Sequence, residues 1–338
     1  MGLRVALAIA VAATSLLRGS AAVAAERGIV VELPSLGGGT GFAFANGINA
    51  RGQVVGVSAT ASGFHAVLWE DGVAHDLGTL VRPDPPFTYS FSDARAINEE
   101  GVAVGYSFAF GAVNQPTRAV RFDRDGVHDL GTLGGGGSSA NGINNRGTIV
   151  GGAQTSTGAS HAFALAGGAM RDLGTLGGNT SAALAVNDAE EIVGVSQTAT
   201  GTLHGFLYSR GEMRDLGTLG GSTAFALAIN ARGEVTGQSQ TAGGQNHAFL
   251  FDRAGLHDLG TLGGGTSTGR AMNARSTVVG SADLPDGSVQ AFAFSHGTLA
   301  ALPLLPGGRH WFAAAVNDRG QVAGSTVADQ PHAVLFAP

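Results

Sequence analysis

The five-residue run Asp-Leu-Gly-Thr-Leu occurs five times in this chain, starting at Asp76, Asp129, Asp172, Asp215 and Asp258. The last four copies are 43 residues apart, and the first gap is 53. A unit of that length is one supersecondary element, too small to bury a core by itself. It must stack on its neighbours or close with them into a ring.

Aligning on an asparagine extends the count to seven units, at Asn49, Asn98, Asn144, Asn187, Asn230, Asn273 and Asn317. Each asparagine is followed by a second signature, His65-Ala-Val, Arg118-Ala-Val, His161-Ala-Phe, His204-Gly-Phe, His247-Ala-Phe, Gln290-Ala-Phe or His332-Ala-Val. The leucine of the third signature also appears seven times, at Leu33, Leu77, Leu130, Leu173, Leu216, Leu259 and Leu302. Leu33 precedes the first asparagine, whereas no copy follows His332, so the first and last units complement each other.

Each unit reads as four short strands. Ala226 to Asn230 alternates small and branched residues, the period of a half-buried strand. Asn-x-x-Gly, as in Asn230 to Gly233, is turn chemistry. Glu234 to Gly237, His247 to Phe251 and Leu256 to Leu259 supply the remaining strands, and Asp71-Gly72 and Asp125-Gly126 are hairpin signals. No apolar i, i+3, i+4 pattern runs for ten residues, so no helix is expected. The reading is an all-β, seven-bladed β-propeller of about 43-residue four-stranded repeats. A strand from Ile29 to Leu33 would complete the last blade and close the ring. The alternative is an open solenoid, which needs polar capping units that neither end shows.

Residues 1–25 stand apart from this pattern. Arg4, the apolar run Val5 to Leu17 and the small residues Ala22-Val23-Ala24-Ala25 form a secretory signal peptide. The repeat domain is then 26–338, and the expected location is extracellular or periplasmic. No stretch reaches about 18 apolar residues, so no membrane span is expected. There is no cysteine, which excludes thiolate metal sites and thiol redox chemistry. There is no lysine, and the arginines are scattered singly, so the chain has no basic footprint for nucleic acid. The 56 glycines recur at fixed repeat positions beside 43% apolar residues, which is punctuation rather than disorder.

Gly-Ile-Asn-x-x-Gly-x-Val-Val-Gly, His-Ala-Phe and Asp-Leu-Gly-Thr-Leu-Gly-Gly, in that order, resemble the bacterial extracellular repeat family named for its His-Ala-Phe motif. The resemblance covers residues 29 to 338. It implies secretion and a propeller-like fold, and it supplies no function. Some members carry a C-terminal sorting tail. This chain ends at Phe336-Ala337-Pro338, and release is expected.

Histidine and aspartate recur 11 residues apart at His65/Asp76, His161/Asp172, His204/Asp215 and His247/Asp258, a spacing that spans a hairpin. Arg118 keeps Asp129, the neutral Gln290 faces Ala301, and His332 would meet Glu32. Partners that change together point to a repeated structural contact, since a catalytic dyad is needed only once. No metal ligand and no cofactor are expected, because one carboxylate per unit is too few for a metal. Gly265-Thr266-Ser267-Thr268-Gly269 matches a nucleophile elbow, but it reads as an inter-blade turn with no helix after it.

The departures from the repeat carry the functional expectation. The loop from Leu80 to Asp93 is about ten residues longer than its equivalents and contains Phe87, Tyr89 and Phe91. The matching turn of the last unit contains Arg309, His310 and Trp311, and that of the first contains Phe42 and Phe44. Ligand-binding candidates are Phe87, Tyr89, Arg309, His310 and Trp311, because aromatic residues beside a cation can stack on a sugar or grip a peptide. Phe44, Phe225 and Phe312 share one alignment position and read as packing. The expected function is a monomeric, non-catalytic module binding an extracellular carbohydrate or protein. A polysaccharide lyase or hydrolase and a bare scaffold stay open as alternatives. An enzyme would gather unrepeated residues such as Asp84, Asp93, Arg95, Arg270, Arg309 and His310 near a central channel.

Overall fold

The computed structural model describes residues 28–338 except 38–40, 62, 81–88, 111–115, 304–309 and 328–329. The expected signal peptide, Phe87 and Arg309 lie outside the described residues, as does the side chain of Tyr89. Among the described residues there is no helix.

Each unit is an antiparallel meander of four strands. In the fourth unit these are Gly177–Val186, Ile192–Thr198, Leu203–Ser209 and Glu212–Asp215, paired in chain order. The first two units, Ala43–Ile48 to Val73–Gly78 and Tyr89–Ile97 to Gly126–Asp129, are joined by a short parallel pairing, Gly63 with Ser90 and Phe64 with Phe91. The last unit supplies three strands, His310–Val316, Val322–Val327 and Pro331–Ala337. Its fourth is the N-terminal strand Ile29–Glu32, which pairs antiparallel with Pro331–Ala337, Ile29 opposite Ala337 and Glu32 opposite Val334.

The core lies between units, not within them. Each cluster of buried apolar residues among the described ones draws on two consecutive units. Val150, Ala162 and Leu173 of the third meet Ala183, Ile192 and Phe206 of the fourth. Val54 and Trp69 of the first unit meet Ala323 and Ala333 of the last. The phenylalanine of the His-Ala-Phe signature is fully buried at Phe163, Phe206, Phe249 and Phe292. Each such ring contributes about 2–3 kcal/mol of apolar burial, and that burial exists only once the next unit is in place.

The repeated asparagine ties the units together at the end of each first strand. In Asn187, Oδ1 accepts from the backbone N–H of Ala189 and Glu191, both at 3.0 Å, and Nδ2 donates to the carbonyl of Asn230 at 3.0 Å. The same three bonds recur at every repeat. The last member, Asn317, donates to the carbonyl of Asn49 at 3.0 Å, so the chain of bonds returns to its start. Only an amide can do this, because it accepts twice and donates from one buried side chain.

The residues of the Asp-Leu-Gly-Thr-Leu phrase act together at the opposite end. Asp172 accepts from the N–H of Gly174 (2.7 Å), Leu173 is buried, and Gly174 takes φ +75°, which an L side chain resists. Thr175 caps the next turn through the N–H of Gly177 and the carbonyl of Gly178. Ser181 of the following unit accepts from Ala162 N–H and donates to the Gly174 carbonyl. The segment from Ser267 to Gly269, read as a turn, instead begins a first strand, Ser267–Met272.

Candidate functional site

All seven first strands carry a β-bulge at the same place, three residues before the asparagine. A bulge leaves one residue unpaired and re-aims its side chain. The glycine of the Val-Val-Gly phrase makes room for it. A methyl group on Gly105, Gly237 or Gly280 would overlap the carbonyl oxygen of Asp93, Phe225 or Thr268. The seven bulge residues are Asn46, Arg95, Asn141, Leu184, Leu227, Arg270 and Ala314. The backbone around them repeats while these side chains differ.

First strands pack against the first strands on either side, and that of the last unit packs against that of the first. Bulge residues therefore sit along a shared inner edge. Asn46 reaches into the next unit, donating to Asp93 Oδ1 (2.7 Å) and to the Ala94 carbonyl (3.0 Å). Arg95 pairs through Nε with Asp93 Oδ2 at 2.8 Å, and its guanidinium lies over the Tyr106 ring, 5.0 Å from the centroid. Burial pushes the Asp93 carboxyl above its ordinary range, against the opposing pull of Arg95, Asn46 and Tyr106. Arg270 comes from the sixth unit, yet after burial the main influence lowering its pKa is the charge of Arg95. Among the described residues two guanidiniums and one carboxylate thus share the inner edge, and Arg270 has no carboxylate partner there.

Beside this cluster lies a run of touching aromatic rings in the first two units. Phe91 stacks on Phe108 (4.7 Å between centroids) and on Tyr106 (5.7 Å). Phe64 continues the run 6.2 Å from Phe91, and Phe42 and Phe44 follow at 5.0 Å contacts. These six rings are all part-exposed. At the position of Phe91 the middle units carry Gly137, Thr180, Thr223 and Thr266, and at that of Phe108 they carry Gln154, Gln197, Gln240 and Asp283. Apart from Phe44, which shares its position with Phe225 and Phe312, the shelf is confined to these two units among the described residues.

The structure corrects one expected ligand contact. Trp311 is 1% exposed and packs with Val334 and Phe336 between the last two units, so it offers no face to a ligand. The reason is the alternation of the strand: Trp311 points into the inter-unit layer while its neighbour Phe312 points out, 40% exposed. His310 is half-buried, and its Nδ1 accepts from the Val289 N–H at 3.1 Å. Tyr89 opens the strand Tyr89–Ile97.

The 11-residue pairs are in hydrogen-bond contact. His65 Nδ1 lies 2.9 Å from Asp76, His161 2.8 Å from Asp172, His204 2.7 Å from Asp215 and His247 2.8 Å from Asp258. Arg118 meets Asp129 at 3.0 Å and His332 meets Glu32 at 2.7 Å. Where the carboxylate is missing, Gln290 donates instead to the Leu302 carbonyl. Tyr106, Phe108 and Phe64 escaped the sequence reading. The signal that could have found them is an aromatic side chain at an aligned position where other units hold Gly, Thr or Gln.

A hollow of about 500 Å³ opens nearby, lined by Thr117, Gly136, Ser139, Asn141, Gln154 and Ser160. Its walls carry no charged side chain, and it takes in one bulge residue, Asn141. Among the described residues no three His, Asp or Glu gather to hold a metal, and no helix is long and apolar enough to cross a membrane.

No family model matches the chain, and no curated protein does. Among solved structures it is similar to the β-propeller domain of the Trilobed protease from Pyrococcus furiosus, described as having an open velcro topology. The TM-score is 0.51 at 9% identity, over 87% of this chain and 93% of that one. The fold is that of a β-propeller. A puromycin hydrolase mutant complexed with PGG aligns with TM-score 0.52 and 14% identity, over 85% of this chain and 50% of that one. TolB from Acinetobacter baumannii aligns at 0.47 and 12%, over 77% of this chain and 63% of that one. This chain thus spans roughly half to two-thirds of the length of those two larger proteins. At such identities the likeness concerns the propeller alone.

Proposed function

We propose that this chain is a secreted, seven-bladed propeller of the His-Ala-Phe repeat type, closed by its N-terminal strand, that binds an extracellular carbohydrate. The pairing of Ile29–Glu32 with Pro331–Ala337 and the unbroken asparagine cycle support the closed ring. The observation that carries the function is the aromatic shelf from Phe42 to Tyr106. In a repeat protein, five exposed-edge rings confined to two neighbouring units need a reason beyond packing. Part-exposed rings beside Asn, Asp and Arg groups suit a sugar, whose C–H faces stack and whose hydroxyls take hydrogen bonds.

Catalysis is the weaker reading. Glycoside hydrolysis ordinarily uses two carboxylates, and the charged group that meets Asp93 is Arg95. Asp93 is held in an ion pair rather than free to relay a proton.

Binding of the chain from Glu26 to a panel of soluble oligosaccharides and peptides, measured by calorimetry, tests this. The expected result is binding of at least one oligosaccharide, weakened at least tenfold by Phe91→Ala or Phe108→Ala with little change in Tm. Peptide binding alone would move the reading to a protein partner. A blank panel would leave a scaffold.

A further inference from the structure

The polar cluster on the inner edge has a charge pattern that folding alone does not explain. Seven bulge positions are equivalent in backbone, and five of them carry neutral residues. The other two carry arginine, in the second and sixth units, at bulges on the inner edge that the first strands share. A structural ring would place a carboxylate between them. Here a single carboxylate, Asp93, pairs with Arg95 and accepts from Asn46. Among the described residues Arg270 has neither an ion pair nor a hydrogen bond, while Arg95 keeps nearly half its side chain accessible. Like charges brought onto one inner edge oppose folding, so the second arginine leaves a place for a counter-charge from outside.

We propose that the inner edge takes an oxyanion carried on a sugar, a carboxylate or a sulfate, with Arg270 as its principal contact and Arg95 as the second. This rests on the carbohydrate reading above and names the class of carbohydrate. The geometry links the two. Arg95 lies over Tyr106, Tyr106 neighbours Phe91, and Phe91 belongs to the shelf. A saccharide stacked on Phe91 and Tyr106 therefore extends towards the guanidiniums. A guanidinium is suited to this, since its planar fork matches a carboxylate or sulfate edge. Arg95 is pre-oriented by its bond to Asp93, so it loses little freedom on binding. Arg270 has no such holder and moves to meet the ligand.

The test is calorimetry on the chain from Glu26 with three matched oligosaccharides, one ending in a uronate, one in a sulfated sugar and one in neutral glucose. Wild type is compared with Arg270→Gln and Phe91→Ala. One acidic ligand is expected to bind at least tenfold more tightly than the neutral one, with affinity falling as salt rises. Which of the two it is identifies the oxyanion. Arg270→Gln should erase that preference and keep or raise Tm. Equal affinity for acidic and neutral sugars, lost in Phe91→Ala, would overturn the oxyanion site while sparing the carbohydrate reading. An acidic preference that survives Arg270→Gln would also overturn it. If no oligosaccharide binds, both fall together.

Discussion

The side-chain amide of Asn317 donates to the backbone carbonyl of Asn49 at 3.0 Å, although the two residues are 268 positions apart. Every other member of the cycle bridges only 43 to 49 positions. One bond of seven thus carries all the long-range connectivity of the asparagine network, and its chemistry is identical to that of its local counterparts.

Asn317→Ala is therefore expected to cost as much as Asn230→Ala, about 3 kcal/mol. Each removes an amide whose loss strands two backbone N–H donors and one carbonyl at a buried site. Urea unfolding followed by fluorescence measures both. A cost for Asn317→Ala much below that of Asn230→Ala would mean that the seam between the last and first units is frayed in solution.

Gly237→Ala should destabilise by about 3 kcal/mol or more, because the new methyl meets the Phe225 carbonyl and the Phe249 ring, neither able to yield in a packed layer. Gly265→Ala is the control. Nothing lies within 4 Å of its added methyl and its φ is not left-handed, so its Tm should match wild type. Thermal unfolding by circular dichroism separates the two.

Glu234 makes stability depend on pH in a definite window. Burial alone would raise its pKa, but hydrogen bonds from Ser276, Asn230 and Arg232 outweigh that and hold it below the ordinary 4.5. A carboxylate with a depressed folded pKa stabilises fully above its unfolded value and loses that contribution as pH falls through the folded one. The stability gap between wild type and Glu234→Gln should be open at pH 7 and close below about 4.5. A gap that stays constant down to pH 3 would contradict the assignment.

Asp172 holds two partners, the Gly174 N–H and His161, whereas His161 holds one of these contacts. Asp172→Ala should cost about 1–2 kcal/mol and His161→Ala less, with a coupling near 0.5 kcal/mol for a pair this exposed. A double-mutant cycle in urea gives the coupling. Zero coupling would reduce the repeated pair to a geometric coincidence of neighbouring strands.

The strands and their order were readable in advance because they are local. Asn-x-x-Gly, Asp-Gly and the left-handed glycine of Asp-Leu-Gly each prescribe a turn by steric and hydrogen-bonding rules that act within a few residues. Repetition then multiplied a weak signal sevenfold. Leu33 standing without an asparagine before it, and His332 without an Asp-Leu-Gly after it, even pointed to the pairing of the two termini. The site was less legible. Trp311 looked like a surface aromatic because composition distinguishes it, while strand alternation sends it inward. Phe64, Phe91, Tyr106 and Phe108 come from three different strands, and the contact of Phe64 with Phe91 exists only after two units join. Asp93, Arg95 and Arg270 stood out as unrepeated, yet a spacing of 175 residues between the arginines implies nothing until the inner edge is assembled. Local backbone chemistry, written in the sequence, decided the unit. Which side chains meet across the inner edge was decided by the bulge and by the packing of one first strand on another, long-range relations that no short stretch of sequence encodes.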